Sequence, residues 1–222
     1  MVLENCKLSY FGIPGRGEAI RLALTIGKIE FTDNRIDFPS WKELKPKTPW
    51  GSLPVMTLAD GTDIAQSRTI LRLAGKEAGL YPVDIVAAAK VDELVDTAED
   101  IGATVMKAGV GLEQAEKEKE REKSCSPGGP VYALLEKLDK KVGTNEGPFA
   151  VGDSITIADL ILYANCNNLI SGLYDGVPVT AIDAFANLTA LRKAVRSHPA
   201  VKKWYEGFGP DDKIPASYGP LE

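Results

Sequence analysis

Histidine is nearly absent. His198 is the one copy in 222 residues, and it stands before Pro199 in a stretch read as a turn. A Ser-His-Asp or Cys-His arrangement would have to be built on it, and a zinc site would lack its commonest nitrogen ligand. Acid–base work therefore falls to tyrosine, to carboxylates or to the substrate itself. Cysteine is scarce too: Cys6, Cys125 and Cys166 are odd in number, far apart and without a CxxC pair. That argues for a reducing compartment and against a disulfide framework or thioredoxin-type exchange. Positive charge is not in excess, since 26 Lys and Arg stand against 31 Asp and Glu for a formal net charge of -5. No basic stripe is on offer to nucleic acid, and an anionic ligand would need a local cationic pocket. No apolar run reaches membrane-spanning length, and MVLENCKL lacks a basic-then-apolar leader. The expectation is a cytoplasmic protein with neither nucleic acid nor membrane as partner.

What is present is ordinary in bulk, with 44% hydrophobic and 26% charged residues and room for one large domain or two small ones. The chain is organised around KLSYFGIPGRGEAIRLAL, residues 7–24. A short strand-type run (Leu8, Tyr10, Phe11) breaks at Gly12-Ile13-Pro14-Gly15 and turns helical from about Arg16. Ala19, Ile20, Ala23 and Leu24 then mark one buried helix face. The backbone N–H groups of the helix start, Arg16 and the phenol of Tyr10 meet at one crevice, a combination suited to a bound thiolate or other small anion. Taken alone, the stretch reads more simply as a half-buried strand aromatic followed by a surface charge. Ser9 and Tyr10 point to opposite faces of the strand, so one of them at most faces the crevice, and the YF context favours Tyr10.

Further on, Glu30–Ile36 reads as a second strand, Trp41–Lys45 as a helical turn, Leu53–Leu58 and Thr62–Ala65 as a hairpin, and Arg68–Lys76 as a helix capped by Ser67. The order βαβ then ββα predicts a small mixed sheet. Beyond Pro82 the pattern is helical. Val91, Leu94, Val95, Ala98, Ile101 and Val105 form a stripe within 85–107, and 113–123 is a charged helix end or connector. Helices are expected over 131–142, 160–169, 181–197 and 200–208, followed by a Gly/Pro-containing tail, 209–222. Thr156 and Asp159 have the spacing of a capping box, with Ile155 and Leu160 as its apolar staple.

Together these pieces resemble the cytosolic glutathione transferases, above all the tyrosine-type, sigma-like class. The resemblance rests on YFGIPGRGEAIR, the Trp41-xxx-Lys45 spacing, GSLPVM, the Gln66-Ser67 pair, VDTAED and VGDSITIADL, in that order across nearly the whole chain. It implies an α/β thioredoxin-like N-terminal domain (1–80) and an all-α C-terminal domain (81–222) contributing the electrophile site and dimer interface. The implied activity is conjugation of glutathione to hydrophobic electrophiles by a homodimer, with glutathione as co-substrate and neither cofactor nor metal. Tyr10 would hold the sulfur with Arg16 nearby. Trp41, Lys45 and Ser52 would contact the glycyl end, Leu53 before a cis Pro54 would pair with the cysteinyl part, and Gln66 and Ser67 would bind the γ-glutamyl end. Asp100 would reach the neighbouring subunit's site. The electrophile pocket would draw on Phe11, Ile13, Val105, Met106, and Ile161 or the tail. On their residues alone, Ser67 is an ordinary cap, Lys45 a surface lysine, Trp41 a packing residue, and each pocket residue a core residue.

Two departures stand out. Ser52 replaces a lysine common in the class, and Gly102 with 104–111 lacks the large aromatic associated with prostaglandin isomerisation. The alternatives are a non-catalytic glutathione-binding protein on the same fold and a glutathione-dependent isomerase such as a prostaglandin D synthase. Asp92, Asp96 and Asp100 repeat at i, i+4, a repulsive spacing. The patch Asp96, Glu99 and Asp100 is expected to line a solvated cleft, with weak Mg²⁺ or Ca²⁺ binding as the alternative.

Overall fold

Alternation along residues 6–11 buries Cys6, Leu8 and Tyr10 in β1 (Cys6–Phe11) and leaves Lys7 exposed. The structure, a computed structural model, describes residues 2–208 and 216–218. β1 pairs in parallel with β2 (Phe31–Ile36) and antiparallel with β3 (Val55–Thr57), which pairs antiparallel with β4 (Asp63–Ala65). The sheet order is β2-β1-β3-β4, and the Leu53–Pro54 peptide is cis. Its helices are α1 (Glu18–Ile26), α2 (Phe38–Leu44) and α3 (Ser67–Glu77).

The rest is helical: α4 (Ile85–Lys107), α5 (Gln114–Ser124), α6 (Pro130–Val142), α7 (Ile157–Leu169), α8 (Ala186–Ser197) and α9 (Pro199–Glu206). The expected stripe of α4 is buried at every one of its six positions. α7 is buried everywhere but Asn165 and packs against α4, α8 and α1. It also meets α3, where a Cβ on Gly75 would collide with Ile157. No helix among the described residues is long and apolar enough to cross a membrane. Cys6, Cys125 and Cys166 are free and buried, and burial pushes the Cys125 thiol up to about 11 and that of Cys166 to about 12.

Several elements differ from expectation for local reasons. α2 starts earlier, because Asp37 accepts the Ser40 N–H at 2.7 Å and Pro39 fits the first helical turn. α3 starts at Ser67, so the N-cap position falls on Gln66, at φ 75, and Ser67 is not the cap. The charged stretch 113–123 is not a helix end or connector. It forms α5, a separate helix that buries Arg121 and Ser124. Ala181, Ile182 and Phe185 are buried in a turn closed by Phe185 N–H to the Ile182 carbonyl, and α8 begins only afterwards. Of the tail, 209–215 and 219–222 lie outside the described residues. Tyr218 is buried, its hydroxyl bonded to the Ala164 carbonyl and Asn168 Oδ1.

The acids of α4 are met by arginines. Arg72 bridges Asp92 at 2.6 Å and Asp96 at 2.9 Å, and Arg68 adds a contact to Asp96 at 3.1 Å. Burial opposes the Asp92 charge, but Arg72 and the Tyr81 hydroxyl outweigh it and hold Asp92 below the usual carboxylate range. A repulsive i, i+4 pair thus becomes the α3–α4 seam. Among the described residues no three His, Cys, Asp or Glu side chains are grouped to hold a metal ion.

The capping box forms as its spacing predicts. Asp159 Oδ2 accepts Thr156 N–H at 2.7 Å and Thr156 Oγ1–H at 2.9 Å, while Oδ1 accepts Ala150 N–H at 2.7 Å. The side chain is fully buried, so its removal leaves two backbone donors without partners. We expect Asp159→Ala to cost about 3 kcal/mol or more, seen as a melting-temperature drop of roughly 6–12 °C in a chain of this size.

Candidate active site

The catalytic candidate is built by a strand end, a turn and a helix start. Tyr10, on the last buried position of β1, is wrapped by the 3₁₀ turn Gly15–Gly17. Its Oη accepts the backbone N–H of Arg16 at 3.0 Å. The wrap is possible because two residues lack side chains. A Cβ on Gly15, itself at φ 44, would come 2.6 Å from Tyr10 Oη, and one on Gly17 would come 2.7 Å from Tyr10 Cδ1. Ser9 faces away, with Oγ accepting Asn34 Nδ2–H at 3.0 Å.

Behind the turn lies Arg21. Its side chain is 1% exposed, and it donates to the carbonyls of Phe11, Ile13 and Pro14 at 3.0–3.3 Å. Glu18 at 3.2 Å and Asp33 at 2.9 Å balance its charge. Glu18 Oε1 in turn accepts Trp204 Nε1–H at 3.0 Å and Tyr205 O–H at 2.8 Å, tying α9 to the turn.

Tyr10, Phe11, Ile13, Arg16 and Leu53 line a cavity of about 380 Å³, closed from the helical side by Glu99, Gly102, Met106 and Tyr174. The Arg16 guanidinium, 62% exposed, reaches Glu99 at 3.2 Å. With one partner so exposed the pair contributes at most about 1 kcal/mol, so it shapes the site's field more than its stability. Burial pushes the Tyr10 phenol above its ordinary pKa, against the Arg16 N–H and the charges of Arg16 and Arg21, which lower it. Tyr10 therefore stays protonated at neutral pH. Its oxygen is occupied by an incoming N–H, and its proton is free for an acceptor in the cavity.

Of the expected electrophile residues, Phe11, Ile13 and Met106 line this cavity. Val105 and Ile161 do not. Both are buried in the core, because the α4 stripe and the almost wholly buried α7 pack on each other. Trp41, Lys45, Ser52, Pro54, Gln66, Ser67 and Asp100 lie outside it. Trp41 stacks edge-on with Phe11 at 5.8 Å, Pro54 is buried before β3, Lys45, Ser52 and Gln66 are exposed, Ser67 opens α3, and Asp100 is exposed on α4. Sequence reasoning missed Arg21, Glu99 as partner of Arg16, and Tyr174. Glu18 and Arg21 at i, i+3 were the available signal for the first, whereas Tyr174 sits in a loop with no pattern. A larger cleft of about 940 Å³, bounded by Arg35, Trp204 and Phe208, contains neither Tyr10 nor Arg16. The candidate catalytic residues Tyr10 and Arg16 line the smaller cavity.

A mixed four-stranded sheet presenting a phenol at a strand–turn–helix, docked on an all-helical domain, defines the glutathione transferase fold. A family model described as "Glutathione S-transferase, C-terminal domain" matches residues 99–207. The chain is 34% identical over 209 residues to glutathione S-transferase 1 of Ascaris suum, covering 91% of this chain and 96% of that one. Among solved structures, prostaglandin synthase D of Nilaparvata lugens superposes with a TM-score of 0.80 at 27% identity, covering 92% of this chain and 98% of the other. A monomeric glutathione S-transferase of Necator americanus, Na-GST-3, does so at 0.77 and 28%, with the same coverage. The chain belongs to the glutathione S-transferase family, and it is an enzyme that transfers glutathione.

The wrap around Tyr10 can be tested. Gly17→Ala gains about 0.5–1 kcal/mol of backbone entropy, but its Cβ would meet both Tyr10 Cδ1 at 2.7 Å and Arg21 Nη1 at 3.1 Å. Overpacking costs about 1–3 kcal/mol, so it wins. The expected result is a lower melting temperature together with reduced turnover.

Proposed function

We propose that Tyr10 holds the glutathione sulfur as a thiolate, which makes this chain a tyrosine-type, sigma-like transferase acting on hydrophobic electrophiles. The observation that carries the reading is the Tyr10 hydroxyl, filled on its acceptor side by Arg16 N–H and free to donate. A free thiol of pKa about 8.5 is a few per cent ionised at neutral pH, and lowering that by about two units takes roughly 2.7 kcal/mol. A charge-assisted hydrogen bond from the phenol, polarised by the N–H behind it, supplies most of this. Arg16 adds attraction, which Glu99 partly offsets. A larger shift would weaken the nucleophile, so a moderate one is useful.

In this reading Leu53 pairs its backbone with the cysteinyl part of glutathione, and the α3 start at Gln66-Ser67 receives the γ-glutamyl carboxylate on its free N–H groups. Trp41, Lys45 and Ser52 flank the glycyl end. Glutathione enters as co-substrate, and the scheme calls on no resident cofactor or metal. Phe11, Ile13 and Met106 offer an apolar wall to the electrophile. A non-catalytic binder would have no use for a free phenolic proton at this spot. Prostaglandin isomerisation is the second reading, favoured by the relative of that name and disfavoured by Gly102 on α4.

The assembly we propose is a homodimer joined along α4. Trp50 is 73% exposed, and Ile85 and Val86 at the α4 start are exposed as well, large apolar side chains of the kind a second subunit would cover. Asp100, outside its own cavity, would then serve the neighbouring one. Free, buried cysteines support a cytoplasmic setting.

Tyr10→Phe should lower kcat at pH 7 by about twentyfold, the ratio of thiolate fractions for thiol pKa values about two units apart. The KM for glutathione should barely move, and the rising limb of the pH–rate profile should shift alkaline. An unchanged kcat would remove Tyr10 from the chemistry. Light scattering at micromolar protein should give twice the chain mass; a fully active monomer would reject the shared site.

A further inference from the structure

A cleft of about 940 Å³ opens between the end of α1, β2 and α9. Its floor is apolar, with Trp204, Phe208 and Ile26 half-buried in it. The indole N–H of Trp204 is spent on Glu18 at 3.0 Å, so the ring offers the cleft only its apolar surface, and Phe208 meets it edge-on at 5.2 Å. The charge around this floor is one-sided. Among the described lining residues Lys28, Arg35 and Lys203 stand against a single carboxylate, Asp33, which Arg21 and Arg35 already hold at 2.9 and 2.8 Å. The exposed side chains of Lys28 and Lys203 make no ion pair or hydrogen bond with any described residue. Arg35 gives Asp33 its Nε alone and lies 4.8 Å over the Phe208 ring. Its two terminal nitrogens are without a partner among the described residues, a fork of donors at the edge of an apolar surface. His198 adds another donor. Its Nδ1 accepts the Ala200 N–H at 3.2 Å and burial lowers the ring's pKa, so the neutral ring carries its proton on Nε2.

We propose that this cleft is a second ligand site, which takes an aryl-bearing organic anion. The ring body lies on Trp204 and Phe208, and its carboxylate or sulfonate meets the Arg35 fork, with Lys28 and Lys203 at the rim. Each part of the match has its own physical reason. The volume falls within the range of about 300–1,000 Å³ usual for small-molecule pockets. Apolar surface left open to water gains by being covered, and unpaired cations gain by meeting an anion. A neutral hydrocarbon would use only the floor, and a small inorganic anion only the rim. The site is separate from the Tyr10 cavity, because no described residue lines both. It therefore stands whether or not Tyr10 holds a thiolate. No bond is made or broken in it. Its two anchors, Trp204 and Arg35, are the partners of Glu18 and Asp33, the acids that balance Arg21, so the ligand sits close behind the turn that wraps Tyr10.

The probe is 8-anilinonaphthalene-1-sulfonate, followed by its fluorescence on the full chain with the Tyr10 cavity saturated by S-hexylglutathione. Saturable binding that survives this block, and survives Tyr10→Phe, is expected. Arg35 and Trp204 are left in place, because they also hold Asp33 and Glu18. Lys28→Glu combined with Lys203→Glu removes two attractions and adds two repulsions, and should weaken the sulfonate on the order of tenfold. N-phenyl-1-naphthylamine has the same rings without the sulfonate and should be indifferent to the reversal. Ala200→Trp, which fills the cleft at unchanged charge, should weaken both dyes. Displacement of the sulfonate by S-hexylglutathione, indifference to the lysine reversal, or equal weakening of both dyes by it overturns the proposal. So does a full chain that binds neither dye, since its cleft is then occupied by another part of the protein or by a second copy. If Ala200→Trp lowers the melting temperature sharply, the two exposed lysines alone decide.

Discussion

One buried guanidinium organises the turn that wraps Tyr10. Arg21 is out of water, where an uncompensated charge costs several kcal/mol, so it must be paired and fully hydrogen-bonded. Glu18 and Asp33 meet the charge, and the remaining N–H groups gather three carbonyls from the irregular stretch between β1 and α1. Burial opposes Arg21's charge, but the two carboxylates outweigh it and raise its pKa. No apolar residue in its place would gather the three carbonyls. The shape of the turn, and hence the position of Tyr10, follows from the demands of that single charge.

The same cluster joins the two parts of the molecule. Glu18 offers its second oxygen to Trp204 and Tyr205 of α9, and Asn168 of α7 donates to the Gly15 carbonyl at 3.4 Å. The phenol-bearing turn is thereby held from the helical side, and the cavity takes its walls from both parts. Arginines do similar service at the α3–α4 seam, where Arg68 and Arg72 convert a run of acids into an attachment. Polar contacts across this boundary orient the two parts, while α7 supplies the apolar burial between them.

On the proposed function the cavity divides into a sulfur side and an electrophile side. On the sulfur side a backbone N–H, a phenol and a guanidinium would act together. Each is too weak alone for the required shift, and two are main-chain or neutral groups that need no counter-ion. On the other side the scarcity of large side chains on α4 at Gly102 is made up by a ring from a distant loop. Substrate preference on this fold is therefore open to change by loop residues without touching the thiolate machinery.

Periodicity and short-range spacing determined a good deal by themselves. The 85–107 helix with its buried stripe, the Thr156–Asp159 box and the opposition of Ser9 to Tyr10 are all set within a few residues along the chain, where the helix repeat and strand alternation leave little choice. The family pattern followed from the order of such pieces. Tertiary structure alone decided the rest. Val105 and Ile161 became core rather than pocket because α4 and α7 turn those faces toward each other. Residues 113–123 became a load-carrying helix because Arg121 finds Asp175, 54 positions away. Arg21 could be buried only because Asp33 stands at its register on β2 while Glu18, which balances it, is also held from α9, and Tyr174 reached the cavity because Gly102 left space for it. In each case the partner lies on another element, and burial of a charge or a ring is set by what surrounds it in space.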